Sequence, residues 1–171
     1  LEKAAPGSGR TGLKEGAVIL ASTQSHYSCL NVASWLGIGQ DQVIGVPTSL
    51  DNAIIVEALE EKAREAIAGG KKIAAIVATI GSTDAFGVDD LRGIDDVRRR
   101  LVDECSLPYV PHVHADAVIG WAWSVFNDYD FDANPLDFPN RTLRALAGTH
   151  RRIEHLPLAD SVGIDFHKTG F

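Results

Sequence analysis

An almost unbroken apolar run from Lys72 to Thr79 lies between two long amphipathic stretches, and no other feature constrains the fold as tightly. A strand without polar alternation has to be covered on both faces, which a parallel sheet flanked by helices provides. Four further runs have strand character: Ala17 to Ala21, Gln42 to Pro47, Pro108 to Ala117 and Asp160 to Asp165. Between them the apolar period lengthens to that of a helix. Leu50 to Ala68 carries Ile54, Ile55, Ala58, Leu59, Ala63 and Ile67 at helical spacing and stops at Gly69-Gly70. Tyr27 to Leu36 forms a second helix, and Asp89 to Cys105 a third that opens with two aspartates at the positive end of its dipole. Strands alternating with helices predict an α/β fold, a three-layer α/β/α arrangement around a mainly parallel sheet.

The stretch 127–157 breaks this rhythm. It opens with the acidic, aromatic run Asn127-Asp-Tyr-Asp-Phe-Asp132, continues into a basic helix around Arg141 to His155, and reads as an insertion between two strands. A length of 171 residues with 45% hydrophobic content suits one core, so 1–171 is read as a single domain. The net charge of -7 disfavours nucleic acid and anionic lipid as partners, and the clusters Arg98 to Arg100 and Arg151-Arg152 are expected to be solvated helix faces. Cys29 and Cys105 form no C-x-x-C pattern, and no signal peptide or membrane-length apolar span is visible. A soluble, cytoplasmic setting is therefore expected. The absence of methionine and the start at Leu1 further lead us to expect an excerpt from a longer protein.

Several motifs have a simpler reading than the one they first suggest. Gly7-Ser-Gly9-Arg-Thr-Gly12 spells a dinucleotide fingerprint, but a strand follows the glycines where one should precede them, so it reads as a connector. Asp128, Asp130, Asp132 and Asn134 are spaced like a calcium loop, yet Ala133 stands where glycine is required and Pro139 where a bidentate glutamate belongs. His112, His114 and Asp116 alternate along one strand and share a face, which keeps a metal-dependent hydrolase as a minority reading. Thr79-Ile-Gly81-Ser82-Thr83 follows the third strand and Ser25-His26-Tyr27-Ser28 the first, at ends where open α/β sheets carry ligand loops. The chain closes on Asp165-Phe-His167-Lys168, a lysine just past a strand, where desolvation makes an amine nucleophilic.

Taken in order, Ser25-His26-Tyr27-Ser28, Thr79-Ile-Gly81-Ser82-Thr83, His114-Ala-Asp116-Ala117 and Asp165-Phe-His167-Lys168 resemble the group II pyridoxal-phosphate-dependent decarboxylases, the family of glutamate, tyrosine and aromatic amino acid decarboxylases. The resemblance runs from about Ala17 to the end. It implies part of the large domain of a fold-type I, aspartate aminotransferase-like enzyme, which releases carbon dioxide from an amino acid substrate and leaves an amine. It also implies pyridoxal 5′-phosphate held as a Schiff base on Lys168, with Asp116 paired to the pyridine nitrogen and His26 stacked on the ring and placed for proton transfer. Ser82 and Thr83 are implied near the cofactor and His167 near its phosphate, and a homodimer is implied as the assembly.

The chain also departs from the family pattern. Val118 stands where many members have alanine under the ring, Asp165 where some have asparagine, and the span from Asp116 to Lys168 is longer than in most. Leu1 to Gly16 holds no version of the glycine- and serine-rich phosphate segment. The alternatives left open are another fold-type I reaction, in a lyase or aminotransferase, and a non-catalytic fragment or degenerate relative.

Overall fold

The computed structural model describes residues 16–169. Apolar runs become strands at five places: β1 (Ala17–Ser22), β2 (Val43–Val46), β3 (Lys72–Thr79), β4 (His112–Asp116) and β5 (Ser161–Gly163). They form one sheet in the order β2-β1-β3-β4-β5, and all four pairings are parallel. The helices are α1 (Ser28–Trp35), α2 (Val56–Ala68), α3 (Leu91–Glu104), α4 (Asn140–Ile153) and the short α5 (Phe166–Thr169). Among the described residues no helix is long and apolar enough to cross a membrane. The Gly7 to Gly12 motif lies outside the described residues.

The two sheet faces divide the core. Val18 and Leu20 of β1 join Ile73, Ile76 and Ala78 of β3 beneath α2 and α3, whereas Ile19, Ala21 and Val77 face Ala33 and Cys29 of α1. Strand alternation alone would put Ile73 and Ile76 on opposite faces. A register shift after Val18, which pairs Ile19 with Ala75, returns both isoleucines to one face. Fully buried Leu20, Leu59 and Ile76 each stabilise this layer by about 1.5–3 kcal/mol. The chain leaves β1 through α1 toward β2, then returns through α2 to β3 on the other side. The strand order therefore reverses between β1 and β3, the kind of switch point at which open α/β sheets bind ligands.

Element ends differ from the sequence reading for identifiable reasons. The helix read from Leu50 starts at Val56, because the Ile54 N–H donates to the Asp89 carboxylate at 2.6 Å and Thr48 bridges Ile54. It ends as expected: Gly70 adopts φ +76°, and Gly70 and Lys71 donate to the Ile67 and Ala66 carbonyls, both at 2.9 Å. The strand read from Pro108 starts at His112, after two prolines that cannot donate to a ladder. The strand read as Asp160 to Asp165 shortens to Ser161–Gly163: at its start the Asp160 carboxylate accepts the Val113 N–H at 2.8 Å, and beyond its end the Asp165 carbonyl accepts from Trp121 Nε1 at 3.1 Å.

The arginine clusters are solvated only in part: Arg99, Arg100 and Arg151 are exposed as expected, whereas Arg98 and Arg152 are drawn into the structure. Arg98 is mostly buried between Asp95 (2.5 Å) and Asp160 (2.6 Å). Arg152 donates to Asp51 at 2.7 Å and to the Val88 carbonyl at 2.8 Å, which ties α4 to the loops after β2 and β3. Before α4, Phe126, Tyr129, Phe131 and Phe138 form an aromatic cluster reached by His150.

Candidate active site

Parallel register puts the C-terminal ends of all five strands on one edge of the sheet. Ala21 pairs with Val77, Thr79 with Asp116, and Asp116 with Gly163. His26 lies on the loop after β1, Ser82 and Thr83 on the loop after β3, Asp116 is the last residue of β4 and Lys168 lies in α5 just after β5, so all emerge together at that edge.

His26 is oriented by α1. Its Nδ1 lies 2.9 Å from Ser28 Oγ and 3.3 Å from the Ser28 N–H. A backbone N–H can only donate, so Nδ1 accepts and the neutral ring carries its proton on Nε2. Tyr27 packs on the ring at 4.1 Å between centroids.

The loop after β3 is closed on itself. The Gly81 and Ser82 N–H groups donate to the Gly87 carbonyl at 2.9 and 3.1 Å, and Gly87 N–H donates back to Ser82 Oγ at 2.9 Å. The Ser82 side chain is thus buried and engaged within its own loop, while Thr83 projects from it exposed. Gly81 (φ +94°) and Gly120 let this loop lie against the turn after β4: Gly120 N–H donates to the Ile80 carbonyl at 2.9 Å, and a Cβ on Gly120 would run into that same oxygen.

His112, His114 and Asp116 do share one face of β4 and line an open groove of about 460 Å³ with Cys29, Val32 and Val77. Among the described residues no three His, Cys, Asp or Glu side chains gather as a metal site requires, so the metal-hydrolase reading gains no support from the geometry. Both histidines turn to Ser161 instead, each ring nitrogen 2.8 Å from its hydroxyl. Burial holds the His114 ring below the ordinary histidine value. Val118 N–H approaches Asp116 Oδ1 at 3.4 Å.

Asp165 organises the lysine segment. Its carboxylate accepts from the His167 N–H at 3.3 Å and pairs with the His167 ring at 2.7 Å. His167 and Lys168 are both exposed, so the amine is not desolvated within this chain. Trp121, in the 3-10 segment Gly120–Phe126, donates from Nε1 to the Asp165 carbonyl and packs edge-on against Phe166. Among the described residues no hydrogen bond or ion pair directly joins His26, Thr83, Asp116 and Lys168; shared loops and strand ends place them at one edge.

Two residues near these groups escaped the sequence reading. Cys29 lines both the groove with Asp116 and a smaller cavity of about 190 Å³ with His26, and burial pushes its thiol pKa up. Its position three residues after His26, on the inner face of a helix, was the available signal. Trp121 offered none, because its partner is 44 residues away.

Residues 1–126 match the family model described as the pyridoxal-dependent decarboxylase conserved domain, a span that includes His26, Ser82, Thr83 and Asp116. The chain is similar to an aspartate 1-decarboxylase of Aliivibrio fischeri, 34% identical over 153 residues that cover 90% of this chain and 23% of that protein. It is 28% identical to an L-2,4-diaminobutyrate decarboxylase of Acinetobacter baumannii, over 90% of this chain and 24% of that protein. The crystal structure of mouse CSAD in apo form superposes with a TM-score of 0.65 at 28% identity, over 90% of this chain and 26% of that one. The chain spans about a quarter of the length of the curated relatives it matches.

Proposed function

The chain belongs to the pyridoxal-dependent decarboxylase family, and we propose that the whole protein removes the carboxyl group of an amino acid as carbon dioxide and yields an amine. The observation that carries this reading is the register that brings the loops after β1, β3, β4 and β5 to one sheet edge. The donor set suits pyridoxal phosphate: an amine for its aldehyde, a carboxylate for its ring nitrogen and an imidazole broad enough to lie against its ring. When bound, the cofactor supplies an electron sink for the pair left as carbon dioxide departs.

The remaining work falls to side chains. Lys168, exposed at the edge, would be the residue that holds the cofactor through its amine. Asp116 would pair with the cofactor's ring nitrogen and favour its protonated form. His26, with Nδ1 engaged by Ser28, keeps its own proton on Nε2, the atom available for transfer. Thr83 is exposed toward the same edge, Ser82 holds the loop that presents it, and His167 lies beside the lysine as a contact for the phosphate.

Residues 1–171 are in this reading one domain within the cofactor-binding large domain, with 127–157 an insertion between β4 and β5. The reading carries with it a cytoplasmic homodimer, for which sedimentation of the whole protein is the measurement. The activity is tested by supplying a panel of amino acids with pyridoxal phosphate and detecting carbon dioxide and amine. Both products are expected from the whole protein and neither from its Lys168→Ala variant; transfer of the amino group without carbon dioxide would replace the reading with an aminotransferase.

A further inference from the structure

Ser161 stands opposite His114 in the β4–β5 register, and Gly163 stands opposite Asp116. Ser161 Oγ lies 2.8 Å from His114 Nδ1 and 2.8 Å from His112 Nε2. At its other end the His114 ring passes over Gly163, where a Cβ would sit 3.4 Å from Nε2 and 3.6 Å from Cε1. The ring therefore runs along the sheet face from the level of Ser161 toward the level of Asp116, with Nε2 leading.

A hydroxyl carries one proton, so Ser161 can donate to one ring and must accept from the other if both rings are neutral. Two arrangements satisfy this. In one, Ser161 donates to His114 Nδ1 and accepts from His112 Nε2–H, which places the His114 proton on Nε2. In the other the donors and acceptors are exchanged, and His114 presents a bare Nε2 lone pair toward the carboxylate. A negative charge at the leading end favours the first, because an N–H dipole is attracted where a lone pair is repelled. The charged and titratable groups around His114 are Asp116 and His112 on its own strand and Cys29 across the groove on α1. Beyond them Asp160, just before β5, lies 3.9 Å from His112 Nδ1 and by itself favours the exchanged arrangement. The same carboxylate oxygen, however, is paired with Arg98 at 2.6 Å and accepts the Val113 N–H at 2.8 Å, which compensates its charge and leaves Asp116 to decide.

We propose that Ser161 is a positioning residue that, together with His112, holds His114 as its neutral Nε2–H tautomer alongside Asp116. The carboxylate then faces a neutral dipole and not a competing cation, and keeps its full charge for a protonated cofactor ring nitrogen. This last step rests on the role given to Asp116 above; the tautomer itself does not.

The test is long-range proton–nitrogen correlation NMR on the full chain with labelled histidine, followed by pyridoxal phosphate titration of the whole protein. His114 is expected to show the Nε2–H pattern, to lose it in Ser161→Ala and to regain it in Ser161→Thr, with cofactor affinity about tenfold weaker in the alanine variant alone. An Nδ1–H pattern in the unmodified chain overturns the proposal without any variant, so the result does not depend on Ser161→Ala folding. An unchanged tautomer or an unchanged cofactor affinity in Ser161→Ala overturns it as well. If the unmodified whole protein fails to bind pyridoxal phosphate, the role of Asp116 falls with the proposed function, while the NMR pattern still decides what Ser161 does to His114.

Discussion

Trp121 Nε1 donates to the Asp165 carbonyl at 3.1 Å, so the turn after β4 and the segment bearing Lys168 are fastened to each other across 44 residues of sequence. The same indole meets Phe166 edge-on, with ring centroids 4.9 Å apart. One side chain thus sets the entry of the lysine segment relative to the strand that ends in Asp116.

Replacing Trp121 by Phe keeps an aromatic ring against Phe166 and removes the N–H donor. A loss of about 1 kcal/mol in denaturant unfolding is expected. Hydrogen exchange should quicken at the backbone amides of residues 166–168. Unchanged exchange there would mean that the indole hydrogen bond does not hold this segment.

Gly120 and Gly148 separate two effects of glycine. A methyl at Gly120 meets the Ile80 carbonyl and side chain, so Gly120→Ala should destabilise the chain by about 1–3 kcal/mol. Gly148 sits within α4 with open space where a methyl would project, and Gly148→Ala should gain about 0.5–1 kcal/mol through helix propensity. Thermal unfolding of the two variants in parallel shows whether their signs differ as expected.

Asp89 makes stability depend on pH. Its carboxylate accepts the Ile54 and Thr79 N–H groups, both at 2.6 Å, and burial pushes its pKa from 3.8 up to about 6 against the pull of those bonds and of Arg152. The folded chain therefore holds this proton more tightly than the unfolded chain. The resulting stability is fully present below pH 3.8 and is lost as pH rises to about 6, by on the order of 3 kcal/mol. Urea unfolding of the parent chain and Asp89→Asn should show a stability difference that shifts against the parent over this window. A difference independent of pH contradicts the shift.

The sheet was legible because each buried strand needs an apolar run, and the run from Lys72 to Thr79 became a strand with those ends. The common edge of the motif loops was legible too, since parallel strands deliver every following loop to one side. Contacts decided by distant partners were not. The start of α2 depends on Asp89, 35 residues beyond Ile54, and the arrangement of His112 and His114 depends on Ser161, 47 residues beyond His114. Arg98 looked like a solvated charge because its second carboxylate, Asp160, is 62 residues away.

Whether Lys168 carries the cofactor is decided by covalent trapping. The whole protein is mixed with pyridoxal phosphate, reduced with borohydride and digested, and its lysine peptides are weighed. One pyridoxyl group per chain is expected on the peptide containing Lys168, absent from Lys168→Ala. No label, or label spread over Lys62, Lys71 and Lys72 with none preferring Lys168, would contradict the assignment.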